Sequence, residues 1–295
     1  MNPLISVVVA TYRRQKDLEN ALRSLAVQTY ENFEVILVDD NDDPVWNETV
    51  RRVVQTVIRA YPELRLTCIE NHPNQGSAKT RNIGISASRG EYVTFLDDDD
   101  VYLPSKIQRQ AAFMVDGGLD YSITDLQLFN ANGKLVDQRI RRFITDTSPG
   151  ALLLYHLKHH LTGTDTLMFS KDYLNSIHGF APIDVGDEYY LMQRAIDGGG
   201  KFGYLPGCDI KAYVHTDEGG LSSGDGKIRG ENALYAFKKQ YFAQISGADR
   251  RYITMRHYAV IAYAQLRRKR LFSFGINALR AFLTSPLQFL SMLKH

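Results

Sequence analysis

The 295-residue chain is poor in cysteine and in long apolar runs, and each shortage argues against a class of protein. Its two cysteines, Cys68 and Cys208, lie far apart and form no CxxC pair. That argues against a disulfide framework or a zinc site and fits a reducing compartment. No stretch reaches the ~18 consecutive apolar residues of a membrane-spanning helix. In MNPLISVVVATYRR the basic residues follow the apolar run, the reverse of a secretory signal. The run therefore reads as a buried first strand, and a cytoplasmic protein is expected. With 44% hydrophobic and 23% charged residues, no internal repeat and no low-complexity stretch, the composition is that of an ordinary globular chain.

Acidic residues become scarce toward the C-terminus. Residues 226–295 carry thirteen Lys and Arg against only Glu231 and Asp249, a net +11, which leaves −9 for the rest of a chain whose total is +2. A basic end and an acidic body should meet different partners, and nucleic acid is not expected among them.

Over the first hundred residues, short apolar runs alternate with segments of helical spacing. The runs ISVVVA (5–10), FEVILVD (33–39), LRLTCIE (64–70) and EYVTFLD (91–97) read as strands, with helices over 16–28, 45–61 and 76–88. Continuous apolar strands separated by helices imply an α/β fold, a mostly parallel central sheet with helices on both faces. Ligands of such sheets sit outside the carboxyl ends of the strands. Those ends read ATYRRQKD, DDNDDP, NHPNQGSAKTRN and DDDDVYLP. Carboxylates crowded at one rim repel one another, and a cation or ligand hydroxyls would relieve the repulsion.

Beyond residue 120 the alternation weakens. Asn132-Gly133 is a hairpin signal between YSITDLQLF and KLVDQRI. A mixed region runs to residue 217, and EGGLSSGDG (218–226) reads as a flexible loop. Three helical segments follow, 227–245, 250–269 and 272–293, the last interrupted by Pro286. The basic run at Arg267, Arg268, Lys269 and Arg270 leads into a helix that places Phe272, Ile276, Leu279, Phe282 and Leu283 along one face. Such a face suits an anionic membrane surface at the inner leaflet, or else packing on the protein core or on a second copy in a homodimer.

Asp97 to Asp100 close the fourth strand. If the chain stays extended there, Asp97 and Asp99 project to one side and Asp98 to the other, a D-x-D pair able to hold Mg²⁺ or Mn²⁺. The bland alternative is a solvated acidic turn with Asp99 or Asp100 capping the next helix. Asp39 and Asp40 can accept hydrogen bonds from a base or ribose, or form an Asx turn. Gly76 opens a helix whose N-terminus favours anions, within reach of Arg81, while Lys79 reads as solvated.

Taken together, SVVVATYRR, LRSLAVQTYENFEVILVDDNDD, NQGSAKTRNIGISASRGEYVTFLDDDD and HGFAPIDVGDEYYLMQRAIDGGGKFGYLPG resemble the family-two inverting glycosyltransferases of GT-A (Rossmann-like) fold, over some two hundred residues. The resemblance implies a domain at 1–217, with a nucleotide-sugar-binding half (1–118) and an acceptor and catalytic half (119–217), followed by a helical region at 227–295. It makes Ala10, Thr11 and Tyr12 part of the nucleotide floor. Asp40 would read the base, with Asp39 beside it and UDP expected. Asp97 would face the ribose or the metal and Asp98 would lie by the donor, with Asp99 as the direct metal ligand. GDEYYLM falls where the family carries its catalytic base. The usual order there is Glu-Asp, but here it is Asp187-Glu188, and counting back from Leu191 gives Glu188 the role of base with Asp187 its neighbour. A late histidine, His215, can complete the metal or phosphate site, and Arg229 can clamp the diphosphate.

The activity so implied is transfer of a hexosyl or N-acetylhexosaminyl group from a nucleotide sugar to a carbohydrate or lipid-linked acceptor, in cell-surface polysaccharide or glycolipid synthesis. Two rivals stand beside it. A sugar-1-phosphate nucleotidyltransferase would need a glycine-rich loop after the first strand, and ATYRRQKD has no glycine. A non-catalytic carbohydrate-binding protein would not need carboxylates at both the fourth strand and Asp187-Glu188.

Overall fold

A computed structural model describes residues 2–183, 186–214 and 224–292. In chain order the elements are β1 (Ile5–Thr11), α1 (Lys16–Ala26), β2 (Phe33–Asp39), α2 (Pro44–Ala60), β3 (Leu66–Glu70), α3 (Ser77–Ala87) and β4 (Tyr92–Asp97). There follow β5 (Val101–Tyr102), α4 (Lys106–Gly117), β6 (Tyr121–Thr124), β7 (Leu126–Asn130), β8 (Leu135–Arg139) and α5 (Pro149–His159). Then come β9 (Met168–Ser170), α6 (Lys171–Ser176), α7 (Asp187–Asp197), β10 (Phe202–Leu205) and β11 (Ile210–Val214). The helices α8 (Gly224–Lys238), α9 (Gly247–Arg267), α10 (Leu271–Thr284) and α11 (Pro286–Met292) complete the order.

The expected parallel sheet is present. Its order is β10-β6-β9-β4-β1-β2-β3, and every neighbouring pair is parallel except those made by β9, which runs against β4 and β6. β2 is buried along its whole length because helices cover both faces. On α1, Leu18, Ala21, Leu22 and Leu25 recur at helical spacing and are fully buried; on α2, Val50, Val53 and Val57 do the same work. Asp43 starts α2 by accepting the N–H groups of Val45 and Trp46, with Pro44 in the first helical position. Gly118, at φ 52°, ends α4 in the left-handed region.

The hairpin at Asn132-Gly133 forms, as antiparallel β7 and β8. The run before it, however, is not one strand. It breaks at Asp125, where β6 stays in the main sheet and β7 enters a second sheet of order β5-β11-β7-β8. Buried Asp125 fixes the break by accepting the N–H groups of Arg141 (2.9 Å) and Gly207 (3.0 Å) and the hydroxyl of Tyr204 (2.8 Å).

The chain divides into two compact units, residues 1–152 with 161–215, and residues 153–160 with 216–295. The first holds both sheets. In the second, α9 packs on α10 and α11 through Met255, Ala259 and Ala281, with Tyr252, Tyr258 and Phe289. The helical part already begins at Gly224, inside the stretch read as a loop, and residues 153–160, all but the last of them in α5, belong with it. Pro286 does interrupt the last segment, standing as the first residue of α11. Among the described residues no helix is long and apolar enough to cross a membrane.

Helix α3 lies against β1 and β2 at Gly84, where a Cβ would overlap Val8 Cγ1 and press on Val38. Gly84→Val should therefore lower stability by about 1–3 kcal/mol through overpacking. The check is the free energy of urea unfolding, expected to fall with an unchanged denaturant slope.

Candidate active site

The register of the sheet sets the rim. Thr11 pairs with Asp39 and Ala10 with Asp97, so the ends of β1, β2 and β4 are level. Tyr12, just past β1, is 48% exposed, beside half-buried Ala10 and buried Thr11. Asp39 is wholly buried. Its Oδ1 accepts the backbone N–H (3.0 Å) and the side-chain amide (2.6 Å) of Asn41, the Asx turn anticipated at this position. Its Oδ2 has no partner, and burial pushes the carboxyl above its ordinary pKa. Asp40 is also buried but fully engaged. Its carboxylate accepts the Asn71 amide (2.8 Å) and the N–H groups of Gln75 (2.7 Å) and Gly76 (2.9 Å), which ties the loop before α3 to the end of β2.

The acidic run does not stay extended. β4 ends at Asp97, and the N–H of Asp100 donates to the Asp97 carbonyl across a turn (3.1 Å). The alternation expected of a strand is therefore lost, and the four carboxylates sort differently. Asp98 accepts Thr11 Oγ1 (2.6 Å) and the Tyr12 N–H (3.2 Å), and burial, with Asp99 close by, pushes it up to about 7. Asp99 pairs with Arg14 at 2.8 Å, a partner the sequence did not suggest. Neither Asp99 nor Asp100 caps the following helix, whose cap position is Ser105.

Asp97 and Asp100 turn instead toward Asp165, and one oxygen of each lies within 4.8 Å of the others. Asp165 also accepts the Asp97 N–H (2.7 Å), and Asp100 accepts that of Tyr213 (2.8 Å). Burial, then the Asp97 charge, pushes Asp165 up to about 7; burial and Asp165 raise Asp100. Three crowded carboxylates are a donor set that fits a hard divalent cation such as Mg²⁺ or Mn²⁺. Beneath them, Lys106 is fully buried. Its Nζ donates to Thr94 Oγ1 and to Tyr102 Oη, each at 2.7 Å, and Tyr102 contacts the Asp165 carbonyl at 3.0 Å. No local motif marks Asp165 or Lys106, so sequence reading missed both.

The second acidic group opens α7. Gly186, at φ 73°, turns the chain into the helix. Asp187 is buried. Its Oδ2 accepts Arg81 Nη1 (2.6 Å) and Ser77 Oγ (3.1 Å), and its Oδ1 accepts the Glu188 N–H (2.9 Å). Arg81 uses its other terminal nitrogen on Asp97 Oδ1 (2.6 Å) and lies over the Phe180 ring. Burial alone would lower the guanidinium pKa, but Asp97 and Asp187 outweigh it and the pKa is raised. Glu188 is half-buried, and burial followed by the Asp187 charge pushes it up to about 7, with Arg81 pulling the other way. One Arg side chain thus joins the rim of β4 to the head of α7. His215 lies outside the described residues. Arg229 is exposed on α8 in the second unit, and Lys79 is exposed on α3.

Residues 6–175, more than half of the chain, match the model of glycosyl transferase family 2, and the chain belongs to that family. A glycosyltransferase of Haemophilus influenzae is 39% identical over 106 residues, 36% of this chain and 33% of its own. The Escherichia coli UDP-Glc:alpha-D-GlcNAc-diphosphoundecaprenol beta-1,3-glucosyltransferase WfaP is 32% identical over 112 residues, 38% of this chain and 41% of its own. The chain thus matches well under half of the length of either relative. Among solved structures, S. aureus TarS 1-349 in complex with UDP-GlcNAc has a TM-score of 0.61 at 19% identity, over 95% of this chain and 91% of that one. The Pyrobaculum calidifontis mannosyltransferase PcManGT, in complex with GDP-Man and Mn²⁺, scores 0.63 at 18% identity over 100% and 79%. The fold is GT-A.

Arg81→Met should leave Asp187 buried without its cation, which typically costs about 3–5 kcal/mol. Because unpaired Asp187 would then favour protonation, the deficit should shrink as pH falls toward the carboxylate range. Urea unfolding of wild type and variant at pH 5 and pH 8 checks both size and sign.

Proposed function

We propose that the protein transfers a hexosyl or N-acetylhexosaminyl group, with inversion, from a UDP-sugar to a hydroxyl of a carbohydrate or lipid-linked acceptor in surface polysaccharide or glycolipid synthesis. The observation that carries this reading is the head of α7. There Glu188 is half-buried beside Asp187, whose own carboxylate accepts three hydrogen bonds, and burial followed by the Asp187 charge pushes Glu188 up to about 7. A group poised near neutral pH both holds and releases a proton readily, as a general base must. UDP is favoured by the E. coli relative's named donor and by the UDP-GlcNAc complex of TarS. Glycosyltransferase membership disfavours both the nucleotidyltransferase and the non-catalytic binding protein.

In the proposed reaction Glu188 takes the acceptor proton while the acceptor oxygen bonds to the anomeric carbon. The bond from that carbon to the diphosphate breaks, and its electron pair leaves with UDP. Attack from the face opposite the leaving group inverts the anomeric centre. Tyr12 and Ala10 offer the nucleotide floor, Asp39 has an unpaired buried oxygen for a base or ribose donor, and Asp40 holds the loop that frames them. Asp97, with Asp100 and Asp165 in the crowded donor set, would hold Mn²⁺ or Mg²⁺, and Asp99 would join them on leaving Arg14. Such an ion supplies positive charge against the departing diphosphate. Arg14, now on Asp99, would then be free to meet phosphate oxygens.

Glu188→Gln should lower kcat by roughly 10²–10⁴-fold while leaving the UDP-sugar Kd nearly unchanged, since the amide cannot take the proton. Steady-state kinetics with calorimetric donor titration separate the two constants. The same loss in Asp187→Asn with Glu188→Gln active would move the base by one residue.

Asp99→Ala should abolish Mn²⁺-dependent tightening of UDP binding and most turnover, and EDTA should do the same to the wild type. Turnover that survives excess EDTA would remove the metal from the reading.

A further inference from the structure

Helix α10 has two apolar sides. Ala281 is wholly buried against α9, in the cluster with Met255 and Ala259. On another side Phe272, Ile276, Leu279 and Leu283 fall at steps of four, three and four residues, which places them in one stripe. This stripe faces solvent, with Phe272 83% and Leu283 68% exposed, and α11 extends it with Leu287 at 85%. A helix that has already satisfied its packing on α9 gains nothing from a second apolar stripe unless that stripe is covered in use.

The surrounding charge identifies the cover. From residue 250 to the end of the sequence there is no Asp or Glu. Exposed Arg267 and Lys269 stand at the corner between α9 and α10, and exposed Arg280 flanks the stripe. A symmetric dimer through this face would bring each basic cluster against its own copy, because such an interface is self-complementary and here the charges are all alike. The stripe is also a convex helix surface rather than a groove for a peptide. A partner that is apolar inside and negative at its boundary is a bilayer containing anionic lipid.

We propose that α10 and α11 dock in plane on an anionic membrane, with the Phe272–Leu283 stripe entering the acyl boundary and Arg267, Lys269 and Arg280 on the headgroups. This surface lies wholly within the second unit and does not rest on the transferase reading, so each can fail without the other.

The test is flotation of the full chain with phosphatidylcholine vesicles, with and without phosphatidylglycerol, at about 0.1 M salt, where screening is moderate. Binding to the phosphatidylglycerol vesicles alone is expected. Phe272→Ser/Leu279→Ser/Leu283→Ser should weaken partitioning by more than about tenfold, given the apolar area withdrawn. Arg267→Gln/Lys269→Gln should weaken it by about 25-fold, fivefold for each charge removed. All five positions are exposed or on the outer stripe, and an unchanged melting temperature confirms that the variants fold. The proposal is overturned by absence of binding to either vesicle, by undiminished binding of both variants, or by a concentration-dependent dimer that the triple variant dissolves while vesicle binding persists.

Discussion

A guanidinium with little access to water must be paired, and Arg81 is paired twice, with Asp97 at the end of β4 and Asp187 at the start of α7. The rest of the site follows from this bridge. It fixes the first turn of α7 to the rim of the parallel sheet, joining segments ninety residues apart in sequence. It occupies Asp187, which Ser77 and the Glu188 N–H complete, so in the proposed mechanism this carboxylate positions rather than reacts. What remains is Glu188, lifted by burial and by Asp187, and restrained by the same guanidinium. The bridge therefore helps place the proposed base and tempers a proton affinity that burial and Asp187 raise. Its cost is that neither partner can be removed alone, since the other would stay buried and unpaired.

The acidic rim obeys the same logic of crowding. The turn after β4 separates four consecutive aspartates into two pairs facing different neighbours, Asp98 and Asp99 toward Thr11 and Arg14, Asp97 and Asp100 toward Asp165. Burial and neighbouring like charges raise the proton affinity of Asp98 in the first grouping and of Asp100 and Asp165 in the second. A protein selected only for stability has no reason to keep such an arrangement. The proposed neutralisation of a departing diphosphate would supply one.

Much of this was legible in the sequence, and the illegible parts share a cause. The parallel strands announce themselves as apolar runs, the covering helices as 3.6-residue periodicity, and the acids of β4 and α7 as clusters at predictable ends. Those signals are local. Asp165 comes from a stretch, LTGTDTLMF, whose only structure is a short turn and the three-residue strand β9, too brief to show alternation. It reaches the site only because β9 inserts between β4 and β6. Arg14 likewise acquires its role from a partner distant in sequence, Asp99. The extended reading of Asp97 to Asp99 failed because a strand's alternation stops where its ladder stops. In the second unit the charge asymmetry and the apolar stripe of α10 were both visible in sequence, but only the packing of Ala281 on α9 shows that the stripe lies on the side left open.

The central claim is that Glu188, set by the Arg81 bridge, carries the acceptor proton. The most direct measurement is the pH dependence of kcat/KM for glycosyl transfer in wild type and in Glu188→Gln. A carboxyl raised to about 7 is protonated below that pH and cannot accept a proton, so activity should climb through a single-proton limb centred near 7 and level off above it. The residual activity of Glu188→Gln should lack that limb. A limb in the ordinary carboxylate range, near 4, or one near 7 that persists unchanged in Glu188→Gln, would contradict the account.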